Sequence, residues 1–68
     1  MTSFKINSEY IELIKLLKAS GNAENGGHAQ ALVDAGEIRV NGEIEKRKRA
    51  KLKPGDKVET PQGIINLE

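Results

Sequence analysis

Two periods of apolar positions divide this chain. Between Ser8 and Gly21, the residues Tyr10, Leu13, Ile14 and Leu17 recur at spacings of three and four. That spacing is one apolar stripe of an amphipathic helix, with Lys15 and Lys18 off it. Ser8 is the expected N-cap, Glu9 and Glu12 fall in the first turn, where carboxylates favour the helix dipole, and Gly21 is the expected C-cap. After a connector at residues 22–25, Asn25 is the best N-cap for a second helix. Its buried side is Ala29, Leu32 and Val33, and Gly36 ends it. Each helix is expected to run about three turns.

From Glu37 the period falls to two. Ile38 and Val40 point one way and Arg39 the other. Asn41-Gly42 is a strong hairpin-turn signal, because both residue types tolerate positive φ. Ile44 continues the return strand, and Ala50 and Leu52 resume the apolar alternation. Pro54-Gly55-Asp56 predicts a tight turn, Val58 a strand, Pro61-Gln62-Gly63 another turn, and Ile64, Ile65 and Leu67 a last strand. Phe4 and Ile6, flanking Lys5, suggest a short edge strand. The order predicts an α+β domain: two N-terminal helices packed on one face of a small, mainly antiparallel β-sheet.

Size narrows the function classes. The chain has 68 residues and is read as a single domain, 1–68. A domain this small buries only about 60% of its unfolded surface and has a thin core. It has no cysteine, which removes disulfides, thiolate zinc sites and a catalytic thiol, and its single histidine cannot build a multi-histidine metal site. The longest apolar run is Ala31-Leu32-Val33, too short to span a membrane. The first residues carry no basic stretch followed by an apolar one, so a cytoplasmic location is expected. No cofactor is implied. An enzyme is not expected: only His28 could serve as a base, and no Ser or Thr has a spacing that singles it out. Glu43 and Glu45, at i and i+2 on a strand, are read as solvent-facing, and no phosphate-loop glycine pattern occurs.

Charge changes the picture more. Lys46-Arg47-Lys48-Arg49-Ala50-Lys51-Leu52-Lys53 holds six of the eleven basic residues and no acidic one. The rest of the chain has five basic residues against ten acidic ones, so a +6 block sits on a −5 body. Lys and Arg neutralise phosphates and release counterions, the main source of nucleic-acid affinity. A charge run is often only a solvated loop, and Lys46-Arg47-Lys48-Arg49 has the residue types of a nuclear-import signal. Against both readings, this run is pure in sign, flanked by strands, and set on an acidic body. Aromatic platforms are scarce. Only Phe4 and Tyr10 exist, and Tyr10, on the apolar stripe, is assigned to the core. Recognition should therefore lean on phosphates and shape rather than base stacking, favouring structured RNA over an extended strand.

Gly26-Gly27 either bares helix N–H groups to an anion or lets the second helix pack closely, and nearby Glu24 favours close packing. His28 lies in the same turn and could donate to a phosphate when protonated.

The motifs in order resemble a known family. Gly21 to Gly42, with Gly36-Glu37-Ile38-Arg39-Val40-Asn41-Gly42 at its end and Lys53-Pro54-Gly55-Asp56 following, is similar to the RNA-binding domain first named for ribosomal small-subunit protein four, the S-four domain. The similarity covers about residues 10–59. Gly26-Gly27 and Arg47-Lys48-Arg49 resemble the short, stand-alone bacterial members, the YbcJ-like proteins. The resemblance implies two helices on a small curved sheet, the αL motif, and binding to structured RNA such as ribosomal or transfer RNA. Many members carry RNA-touching arginines early in the second helix, where this chain has Gly26 and Gln30.

The reading that follows is a monomeric RNA-binding module, associated with the ribosome or an RNA-processing protein. Arg39, Lys46, Arg47, Lys48, Arg49, Lys51 and Lys53 are the expected phosphate contacts, and His28 and Gln30 secondary ones on an adjoining helix face. The alternative is a protein-interaction module docking an acidic partner. DNA readout is disfavoured because the second helix, residues 26–35, has no Arg or Lys.

Overall fold

A computed structural model describes residues 2–68. The elements run β1 (Thr2–Phe4), β2 (Ile11–Glu12), α1 (Leu13–Ala19), α2 (Gly26–Asp34), β3 (Arg39–Val40), β4 (Glu43–Ile44), β5 (Lys51–Leu52), β6 (Lys57–Thr60) and β7 (Gly63–Leu67). The main sheet has the order β1-β7-β6-β3-β4. Its ladders are antiparallel except β1 on β7, which is parallel and pairs Thr2 with Ile65 and Phe4 with Leu67. A second ladder, β2 on β5, pairs Ile11 with Leu52 and Glu12 with Lys51. The fold is the expected α+β arrangement.

Strand alternation decides which face is buried. Val40, Val58 and Ile65 are cross-strand neighbours on the inner face. With Ile38 and Leu67 they pack against Leu13, Leu16 and Leu17 of α1 and Ala29 and Val33 of α2. Arg39, Glu59 and Ile64 alternate to the outer face, as the period-two reading requires. Ile65 and Leu67 of β7 lie beyond residues 10–59, yet both are core residues.

Local signals set α2. The Asn25 side chain accepts from the His28 amide at 2.8 Å, satisfying an orphan donor of the first turn. Gly36, with φ +74, follows the last turn and reverses the chain. Asn41 (φ 52) and Gly42 (φ 90) form the expected tight turn between β3 and β4.

The start of α1 differs from the sequence expectation. The helix begins at Leu13, because Ile11 and Glu12 are drawn into β2 by their pairing with β5. Ser8 is not a helix cap; its hydroxyl donates to the Tyr10 carbonyl at 2.7 Å. Glu12 stands at the N-cap without a side-chain cap bond. The first helical amides donate elsewhere: Leu13 N–H to the Ala50 carbonyl at 2.9 Å and Ile14 N–H to the Lys48 carbonyl at 3.1 Å. Tyr10, expected in the core, is 40% exposed. Both helices, of seven and nine residues, are shorter than three turns. The glycine pair is also corrected. A Cβ at Gly26 would meet nothing within 4 Å and one at Gly27 only the Asn25 Oδ1 at 3.4 Å, so no close helix contact requires them.

Candidate nucleic-acid interface

The basic block is not a free loop. Ala50 and Leu52 are buried in the core and anchor its second half. The Lys48 and Ala50 carbonyls hold the first amides of α1, and the Glu45 amide donates to the Ile38 carbonyl at 3.0 Å. An apolar anchor, a short ladder and these long-range hydrogen bonds therefore fix the backbone that carries the charges.

That backbone sorts the side chains into two rows. Even positions turn towards the helices. Ala50 and Leu52 enter the core, Lys48 Nζ donates to Gln30 Oε1 at 3.3 Å, and Lys46 Nζ donates to the Asp34 carbonyl at 3.4 Å. Lys46 thereby places a cation at the carbonyl end of α2, where it complements the helix dipole. The odd positions gather separately, across a turn at residues 48–49 closed by the Ala50 amide on the Arg47 carbonyl at 3.1 Å. Arg47, Arg49, Lys51 and Lys53 line one open depression of about 450 Å³, floored by Ala50.

Two of these four cations are paired with carboxylates. Glu45 takes Arg47 in a fork, Nε to Oε2 at 3.1 Å and Nη2 to Oε1 at 3.2 Å. Arg49 Nε lies 3.7 Å from Glu12 Oε2. The pairing is lopsided: the arginine side chains are 80% and 75% exposed, their carboxylate partners only 16% and 21%. The carboxylates hold the guanidinium groups from below and leave their outer edges to solvent. The Arg47 fork pulls the Glu45 carboxyl below the usual carboxylate range, with partial burial opposing it, and raises Arg47 above its ordinary value. Lys51 Nζ sits 5.0 Å from the Tyr10 ring centroid, a cation–π contact. Lys53 makes no side-chain hydrogen bond or ion pair among the described residues.

Lys53 is positioned through its backbone. Its amide donates to Asp56 Oδ2 at 2.8 Å, while Asp56 Oδ1 accepts from Asn41 Nδ2 at 3.1 Å and Asn41 Oδ1 accepts from the Lys57 amide at 2.9 Å. The Asn-Gly and Pro-Gly-Asp turns are thus clipped together by side chains fifteen residues apart. Those two motif residues do structural work.

The remaining expected contacts lie apart. Arg39 is on the outer sheet face, turned away from the helices, with Nη1 donating to the Gly42 carbonyl at 3.4 Å. Gln30 belongs with Lys48, but His28 does not share its face: two residues along a helix is roughly 200° of rotation, and the buried Ala29–Val33 line lies between them. His28 Nδ1 accepts from the Glu24 amide at 3.1 Å. Two residues missed in the sequence border the site. Lys15 and Glu12 line a second depression, of about 460 Å³, together with Arg49. The β2–β5 pairing brings them there, and nothing local in the sequence signals it. Among the described residues, no three metal-ligating side chains are grouped, and no helix is long and apolar enough to cross a membrane.

A family model described as "S4 domain" matches residues 4–68. The Escherichia coli (strain K12) protein named "Putative RNA-binding protein YbcJ" is 36% identical over 59 residues, 85% of this chain and 84% of that protein. The Shigella flexneri protein named "Uncharacterized protein YbcJ" matches with the same identity and coverage.

Proposed function

Because the chain belongs to the S4-domain family, we propose that it is a non-enzymatic RNA-binding module that takes structured RNA by its phosphates. The family and the name of the Escherichia coli relative support RNA as the partner. The observation that carries the mechanism is the odd row: Arg47, Arg49, Lys51 and Lys53 on one depression, on a backbone fixed from beneath. A preformed row of cations binds phosphates at less entropic cost than a flexible tail. Lys46 and Lys48, whose ammonium groups are engaged by α2, supply field more than direct contact. Arg39, on the other sheet face, is a peripheral contact for RNA that reaches around the edge strand β4. His28, exposed in the first turn of α2, is a secondary contact apart from the row. A cytoplasmic monomer that binds ribosomal or transfer RNA is the form this role takes.

The test is a salt titration of binding to a structured RNA hairpin. Each phosphate contact contributes roughly −0.7 to −0.9 to the slope of log K against log salt. Arg47→Ala with Arg49→Ala should weaken binding roughly ten- to a hundredfold and flatten the slope by roughly 1.4 to 1.8, with an unchanged circular dichroism spectrum. Unaltered affinity in the folded double variant would overturn the assignment. Capture of an acidic protein with no affinity for any hairpin would favour the protein-docking alternative.

A further inference from the structure

The phosphate reading leaves the exposure of Tyr10 unexplained. With Ile44, this residue is one of the two exposed large apolar side chains among the described residues. It lines the depression of about 460 Å³ with Ser8, Ile11, Glu12, Lys15 and Arg49. Lys51, over the ring at 5.0 Å, lines the neighbouring depression instead, and Arg49 lines both. The ring therefore has the Lys51 ammonium over it and borders the open recess. A fixed ammonium on one side steadies an aromatic platform.

The recess has the parts a nucleobase needs. Its volume falls within the range of small-ligand clefts, roughly 300–1,000 Å³. Tyr10 and Ile11 supply a ring and an apolar wall. The Glu12 carboxylate accepts hydrogen bonds, so it takes a donor on the base edge; an amino group offers two such hydrogens where uracil offers only its single N3–H. Lys15 and Arg49 are placed for the flanking phosphates, and Arg49 continues directly into the odd row. A duplex keeps its bases stacked, so only an unpaired nucleotide can enter.

We infer that the recess beside Tyr10 receives one unpaired, amino-bearing nucleobase while the odd row holds the adjoining backbone, so that the RNA recognised is a helix interrupted by a bulge rather than a continuous duplex. This rests on the RNA-binding reading above and adds a feature of the RNA to it.

The probe is a hairpin closed by a non-nucleotide linker and carrying a single 2-aminopurine bulge, compared with the same hairpin without the bulge. Wild-type protein should bind the bulged form more tightly, by roughly fivefold or more for one stacked base, and should quench the 2-aminopurine fluorescence. Tyr10→Ala should abolish both the difference and the quenching, and Tyr10→Phe should keep them. Glu12→Gln should narrow the preference for 2-aminopurine over a bulged uracil. If both hairpins bind equally with no quenching while the arginine double variant still loses both, the recess is not a base site and the phosphate reading stands. If neither hairpin binds, both readings fall together.

Discussion

The two rows of the basic segment come from one stretch of chain with one sign of charge, yet they meet different neighbours. Lys46 and Lys48 bend over α2 and donate to a backbone carbonyl and an amide oxygen. Arg47 and Arg49 are steadied instead by carboxylates, with their outer edges exposed. Residue chemistry fits each place. An ammonium is a compact donor suited to a lone acceptor at a helix end, and a guanidinium can be gripped on one edge while offering another. The comparison teaches that charge count is a poor guide to a binding surface. Where alternating side chains fall relative to buried anchors decides which charges remain available.

Removing the shared anchor should have the largest effect. Leu52→Ala leaves a cavity in the core and should cost about 2–5 kcal/mol, a large part of what a small domain has. Urea denaturation should report it, and a near-zero cost would show that the rows do not depend on this anchor. Next comes the contrast between rows. Lys46→Ala with Lys48→Ala should weaken hairpin binding several-fold less than the arginine pair does and should change the salt slope less. Equal losses from the two double variants would break the distinction. The smallest effect concerns Glu45. Its folded-state carboxyl lies below its unfolded value, so the fork's contribution to stability is present above the unfolded value and fades as pH falls through the folded one. An NMR carboxyl titration should find Glu45 among the more acidic side chains, and Arg47→Ala should return it towards the usual range. No change on removing Arg47 would show that the fork does not form in solution.

Much of this architecture was legible because its signals are local. Asn25 before a helical stripe, Asn41-Gly42 between alternating residues and Pro54-Gly55-Asp56 each set their own backbone conformation. The start of α1 was not legible, because Ile11 and Glu12 follow a distant partner strand rather than the helix that the spacing of Tyr10, Leu13, Ile14 and Leu17 predicts around them. The same long-range pairing exposes Tyr10 and brings Glu12 and Lys15 beside Arg49, so half of the candidate site was invisible. The block itself was plain in the sequence. Its division into rows was not, since it depends on the hydrogen bonds that Leu13 and Ile14 send to the Ala50 and Lys48 carbonyls. The separation of His28 from Gln30 follows from helical periodicity alone and needed no structure.

The position of β7 has a consequence for how the molecule comes into being. This strand lies between β1 and β6 and carries Ile65 and Leu67 into the core. A ribosome releases the chain from its amino end, so Thr2–Phe4 emerges long before the residues it pairs with. Until those have cleared the exit tunnel, the first strand has no neighbour and the helices lack part of the surface they pack on. Such long-range closure slows folding. The domain should therefore acquire its native form only once residues 63–67 have emerged, and the cations near its middle meet the cell before the scaffold that arranges them is complete.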